Sequence, residues 1–227
     1  AHRAKPAGFR IDPDRTPPRR VTRAGTTAIE AIFAFETTQG RGNGVVRLTP
    51  EAGDGTALKA WTLLTALDEI KGHEEKTSTS NVAGKAFSRD FRGPNWLDLR
   101  TAAIAYADRD PVVLVVGAGQ AGMALAACLT RLQVDTLVVD RGQRVGDNWR
   151  HRYHALTLHN QSHVNHLPYM PFPPGWPTYI PKDKLANWFE AYAESMELNV
   201  WSGTEFEGGS FDESAGRWSI VVRGADG

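Results

Sequence analysis

Val112-Val-Leu-Val-Val116, Gly117-Ala-Gly-Gln-Ala-Gly122 and Met123-Ala-Leu-Ala-Ala-Cys-Leu-Thr-Arg-Leu132 read in succession as a strand, a glycine-rich turn and a helix. A second apolar run, Thr136-Leu-Val-Val139, follows and ends on Asp140. Strand, Gly-x-Gly-x-x-Gly, helix, strand and acid in this order form the fingerprint of a fold that binds an adenine dinucleotide. Gly117 permits the tight turn off the strand, Gly119 lets the backbone approach a pyrophosphate, and Gly122 lets the helix pack closely on the sheet. The helix opens at Gln120 and Ala121, where free N–H groups and the positive dipole end face the diphosphate. Asp140 offers an acceptor to a ribose 2′-hydroxyl and repels a 2′-phosphate, which favours FAD or NAD over NADP at this first site. The neighbouring Arg141 works the other way, since a cation could compensate a phosphate or stack on adenine. The bland alternatives are a glycine-rich turn without a ligand and a surface acid at a strand end.

Composition narrows the function classes. With 227 residues the chain holds one large domain or two small ones. Lys+Arg and Asp+Glu are equal at 26 each, so no global field draws nucleic acid or an anionic membrane, and neither is an expected partner. The single Cys128 excludes an internal disulfide and any Cys-x-x-Cys pair within this chain, so a reducing, cytoplasmic setting is expected. No apolar run approaches the roughly 20 residues of a spanning helix.

Three regions are predicted. Residues 1–72 form a small antiparallel α+β segment. Within it Ala1 to Arg23, rich in proline and arginine, reads as a mobile basic tail. Strands are expected at Thr26 to Thr37, Gly44 to Thr49 and Leu58 to Ile70, with turns at Gln39-Gly-Arg-Gly-Asn-Gly44 and Gly53-Asp-Gly55. Alternation in the third is incomplete, leaving helix open for part of it. Residues 73–110 read as a linker with one helix near Trp96 to Ala107. Residues 111–227 are the dinucleotide domain, with a helix over Lys182 to Leu198, a strand over Val200 to Phe206, and a hairpin of Phe211 and Trp218 to Val222 around Glu213-Ser-Ala-Gly216.

From Pro111 onward the chain resembles flavin-dependent monooxygenases with two Rossmann-type domains, especially the branch of plant auxin-forming enzymes and bacterial oxidoreductases. The matching stretches are the Gly117 to Gly122 fingerprint, Val145-Gly-Asp-Asn-Trp149, Tyr153 to His159, Leu167-Pro-Tyr-Met-Pro-Phe-Pro173 and Tyr179-Ile-Pro-Lys-Asp-Lys-Leu185. The resemblance covers about half the chain and implies a Rossmann-type α/β domain with a parallel sheet and a β-meander, holding FAD in the first site. It places Asn148, Trp149 and His159 beside the flavin, with Trp149 as a flat apolar wall. The family's second glycine in that motif is Asp147 here. His159 points to the plant-like branch, and a hydrogen-bonded loop histidine is its alternative. His151, His154, His159, His163 and His166 match no standard zinc spacing, so no metal is expected.

The N-terminal strands and the helix-bearing linker resemble, more weakly, the end of an NTF2-like domain, which could bind a small molecule or form a homo-oligomer. The family implies NADPH-dependent oxygenation of a small organic substrate by O₂ through a peroxyflavin, chemistry carried by the cofactor. No catalytic side chain is assigned. No second glycine fingerprint follows Asp140, so the chain is read as truncated at its C-terminus, with the NADPH site beyond it and turnover not expected from this piece alone. An NAD-dependent dehydrogenase and a non-catalytic binding or assembly module are the competing readings.

Overall fold

Thr26–Glu36, here β3, is the interior strand around which the N-terminal residues organise. Its Ala31, Phe33 and Phe35 are buried on one face and its Ala28 and Glu30 on the other, as an interior strand with period-two side chains allows. The computed structural model describes residues 5–51, 57–75 and 92–224, and the chain divides into two units, Ala1–Glu75 and Lys76–Gly227. In the first unit β1 (Ala7–Ile11) pairs with the C-terminal half of β3 and β2 (Arg19–Arg23) with its N-terminal half. On the other side of β3 follow β4 (Gly40–Pro50) and β5 (Leu58–Ile70), giving a five-stranded antiparallel sheet.

Two expectations change here. Residues 7–11 and 19–23 are strands rather than a mobile tail, because β3 supplies what their composition lacks. Phe9 lies 5.9 Å from both the Phe33 and Phe35 rings, and Arg19 reaches Glu30 at 3.2 Å. The glycines at 40, 42 and 44 belong to β4, not to a long turn. The turn is tighter, with the Thr37 hydroxyl accepting from the Gly40 N–H at 2.9 Å. A Cβ on Gly42 would come within 2.7 Å of the Phe35 ring, so the small residue makes room for the aromatic packing of β3. The predicted turn at 53–55 lies outside the described residues.

Glu30 is a charged group in a mostly apolar sheet, and three arginines surround it. The Arg47 Nε donates at 2.8 Å, Arg19 at 3.2 Å, and Arg23 stands at 3.8 Å. Hydrogen bonds first from Arg47 and then from Arg19 hold its carboxyl below the ordinary value of 4.5. A depressed carboxylate pKa stabilises the fold above the unfolded-state value, and that stabilisation fades as pH falls through the folded-state value. The melting temperature of the first unit is therefore expected to drop as pH falls below about 4.5. Glu30→Gln should melt lower at neutral pH and lose less stability than the parent as pH falls, and calorimetric scans of both proteins across that range check it.

In the second unit, β6 (Val113–Val116), β7 (Thr136–Asp140) and β8 (Asn199–Ser202) form a parallel sheet in that order. The unit is α/β, as its alternating strands and helices require. Helix α2 (Gln120–Arg131) links β6 to β7, and its Met123, Ala126 and Ala127 are buried. A short α3 (Asp147–Arg150) and the longer α4 (Lys182–Ser195) follow β7. Leu185, Trp188, Phe189 and Tyr192 of α4 share one core with Met123, Val138 and Phe172. Burial pushes the Tyr192 hydroxyl up to about 12, and that hydroxyl donates to the Pro168 carbonyl at 3.0 Å.

The helix expected in the linker is α1 (Trp96–Ala105), and it is fastened to this sheet. Asn95 and Asp98 form a capping box at its start. Arg100 donates to Asn199 at 2.9 Å, and Trp201 donates to the Ile104 carbonyl at 2.7 Å. The linker stretch at 76–91 lies outside the described residues.

The strand expected over 200–206 is broken. Gly203 takes φ +63, Gly203 N–H donates to the Gly142 carbonyl at 2.7 Å, and Thr204 N–H to the Asp140 carbonyl at 2.9 Å. The chain then turns into β9 (Glu205–Asp212), which pairs with β10 (Arg217–Arg223) as a separate two-stranded ribbon. No helix among the described residues is long and apolar enough to cross a membrane.

Candidate functional site

The three glycines of the fingerprint have three different jobs. Gly117 leaves β6 with φ +100, a conformation that strains other residues, while its N–H stays tied to the Val139 carbonyl at 2.7 Å. Gly119 caps α2 in an extended conformation, with no side-chain cap bond. The N–H groups of Gln120, Ala121 and Gly122 in the first turn therefore have no acceptor within the helix. Gly122 sits directly against the loop. A Cβ there would overlap the Gly117 carbonyl oxygen and come within 3.2 Å of the Val115 side chain.

Asp140 holds this loop shut. One carboxylate oxygen accepts from the Ala118 N–H at 2.6 Å and the other from the Gly142 N–H at 2.7 Å. The acid expected to meet a ribose thus first joins the glycine loop after β6 to the turn after β7. A carboxylate oxygen has two acceptor sites, so each retains capacity for a hydroxyl donor.

A cavity of about 620 Å³ opens over the ends of β6 and β7, within the size range of small-molecule sites. Gly117, Asp140, Arg141 and Asn148 of the predicted set line it. Asp147, His151, Thr204, Glu205 and Phe206 also line it, and sequence reading did not assign them. Among its ionisable side chains, three acids face Arg141 and His151, an electrostatic balance that disfavours an extra phosphate on a ribose.

The remaining predicted residues are not in its lining. Gly119, Gln120, Ala121 and Gly122 form the loop and helix start beside it, and a Cβ on Gly119 would lie 3.5 Å from the Asn148 amide nitrogen. Trp149 is half-buried and packs on the core, and its indole N–H is buried without a hydrogen-bond partner. His159 is exposed and outside the lining. It follows Leu158, whose N–H donates to the Ile180 carbonyl at 2.9 Å, so this segment is fixed against the start of α4. No group of three or more His, Cys, Asp or Glu among the described residues could hold a metal ion.

What positions Asn148 and Trp149 is a network under α3. Gly146, at φ +91, lies against α4 so closely that a Cβ would come within 2.5 Å of the Ala186 carbonyl oxygen. Asp147, where a glycine was expected, is the first residue of α3, and its carboxylate accepts from the Arg144 N–H at 3.0 Å. Arg150 donates to the Val145 carbonyl at 2.7 Å, to Asn187 at 3.1 Å and to Glu190 at 2.8 Å. Arg144 also pairs with Glu190, and the buried Lys182 donates to the Arg150 carbonyl at 2.8 Å. Both ends of α3 are therefore fixed to α4.

Strand, glycine loop, helix start and acid at one end of a parallel sheet are the arrangement of a Rossmann-type α/β unit. Residues 115–173 match the NAD(P)-binding Rossmann-like domain family. The chain is 37% identical over 117 residues to indole-3-pyruvate monooxygenase YUCCA1 of Oryza sativa subsp. japonica, covering 51% of this chain and 29% of that protein. It is 33% identical over 114 residues to the probable indole-3-pyruvate monooxygenase YUCCA4 of Arabidopsis thaliana, covering 50% of this chain and 28% of the relative. The chain thus spans under a third of the length of these curated relatives. Among solved structures it is similar to a flavin-containing monooxygenase from Stenotrophomonas maltophilia, at 22% identity and a TM-score of 0.44, over 49% of this chain and 33% of that one.

Proposed function

We propose that the second unit binds FAD and serves a flavin-dependent monooxygenase. The observation that carries the reading is the Asp140 carboxylate closing the glycine loop beside the unpartnered N–H groups at the start of α2. The 37% identity to an indole-3-pyruvate monooxygenase supports the reaction class.

The donor set fits an adenine dinucleotide. A Cβ on Gly119 would make only an ordinary contact with Asn148, and the N–H groups of Gln120, Ala121 and Gly122 would receive a diphosphate. Asp140 would accept from a ribose hydroxyl, and Arg141 would lie over or beside the adenine. Asn148, Trp149 and His159 would stand on the flavin side, where the buried Trp149 N–H lacks an acceptor. When bound, FAD supplies the redox and oxygen-transfer chemistry. The side chains orient it and keep water from its ring, and none is assigned as a catalytic residue.

The reading further takes NADPH as reductant at a site outside these residues, O₂ and a small organic molecule as substrates, and a cytoplasmic enzyme. The first unit is proposed as an NTF2-like element through which copies of the enzyme assemble.

Flavin retention tests the proposal. Protein mixed with FAD and passed through a desalting column is expected to emerge yellow, with the absorption of oxidised flavin. A colourless protein that binds NAD selectively would overturn it in favour of a dehydrogenase.

A further inference from the structure

Strand β5 has β4 on one side and no strand on its outer side among the described residues. It is 13 residues long, and nearly all of it is exposed, including Trp61, Leu63, Leu64 and Leu67. A long apolar edge strand without proline is a template for pairing with another strand. The geometry points to a specific occupant: β5 of a second copy of this chain, paired antiparallel about a two-fold axis at Leu64. This rests on the assembly role proposed for the first unit.

The register follows from the residues themselves. Placing Leu64 opposite its own copy sets Leu63 against Thr65, Thr62 against Ala66, Trp61 against Leu67, Lys59 against Glu69 and Leu58 against Ile70. From Leu64 out to Trp61 and Leu67 apolar residues then meet apolar or small ones, Ala60 meets Asp68, and Lys59 of each strand meets Glu69 of the other. A parallel pairing would put Lys59 beside Lys59, and Asp68 and Glu69 beside their own copies, which is unfavourable.

The irregularities of the strand preserve this match. Against β4, Trp61 and Asp68 are the extra residues at two bulges, and Thr62 to Leu67 runs regularly between them. From Leu64 toward Lys59 one strand passes the extra Trp61, and its partner passes the extra Asp68 on the way to Glu69. Each half therefore carries one extra residue on both strands, and the charged pair stays aligned. Lys59 can turn to it from a 3.4 Å pair with Glu51 between exposed side chains, and Glu69, ion-paired with Arg41 of β4, would be shared between the two cations.

Sedimentation of the purified chain tests this. The parent protein is expected to sediment as a dimer. Leu64→Lys places two lysines opposite each other on the axis and should raise the dimer dissociation constant ~10-fold or more. The side chain is 65% exposed, so the variant should keep its fold, as circular dichroism would verify. Leu64→Cys should give a disulfide-linked dimer on mild oxidation, while the parent protein, with Cys128 alone, should not. A parent chain that is monomeric at every concentration overturns both the assembly role and this pairing. A dimer that withstands Leu64→Lys, or that fails to crosslink through Leu64→Cys, overturns the pairing alone.

Discussion

Gly122→Ala is expected to unfold the second unit or prevent its folding. The added methyl would overlap the Gly117 carbonyl oxygen and press on Val115, and both belong to the rigid junction between β6 and α2. Backbone on one side and core on the other leave no room for adjustment, so the loss should reach roughly 3 kcal/mol or more, at the upper end for overpacked sites. Gly119→Ala should behave differently. Its methyl would meet only the Asn148 amide at 3.5 Å, an ordinary contact, and the extended backbone there tolerates alanine. That variant is expected to fold with near-parent stability and to lose FAD affinity, because the methyl stands where a diphosphate approaches the helix start. Thermal melts paired with FAD titrations separate the two outcomes. Equal destabilisation by both substitutions would contradict the division of roles.

Asp140→Asn is expected to have the second largest effect on the site. The carboxylate accepts two backbone N–H bonds, from Ala118 and Gly142. Asparagine retains one acceptor and turns an amide donor toward the other N–H. One half-buried N–H thereby loses its acceptor, and the remaining bond loses its charge, a cost of about 1–3 kcal/mol. The glycine loop loosens from the turn after β7, and the hydroxyl acceptor weakens with it. FAD affinity should fall about 10- to 100-fold, since each 1.4 kcal/mol is a factor of ten. Calorimetric titration of both proteins measures it, and an unchanged affinity would remove Asp140 from the site.

The parts of this fold that were legible in the sequence are those whose cause is local. The junction Val116-Gly117, the opening of α2 at Gln120 and the end of β7 at Asp140 are each set by neighbouring residues, and all appear where they were expected. The strand over Leu58–Ile70 and the helix after Asn95 were legible for the same reason. What was missed depends on partners distant in sequence. The strands Ala7–Ile11 and Arg19–Arg23 exist because β3 offers an unpaired edge, two phenylalanines and Glu30. Glycines 42 and 44 look like a turn until the aromatic rings of β3 are placed over them. In the candidate site, Thr204, Glu205 and Phe206 reach the cavity because the chain breaks after β8 at Gly203 and bonds back to Asp140. Gly203 and Thr204 were the available signal, a glycine and a hydroxyl residue inside an otherwise strand-like run. The placement of α3 rests on Arg150 meeting Glu190, 40 residues later, which no local pattern encodes.

The central claim is that the cavity over β6 and β7 holds the adenosine diphosphate half of FAD. Competition measures this most directly: protein loaded with FAD is titrated with ADP and, separately, with FMN, and released flavin is followed by its fluorescence. The account predicts that ADP displaces FAD and that FMN at the same concentrations does not. Displacement by FMN with no effect of ADP would contradict it.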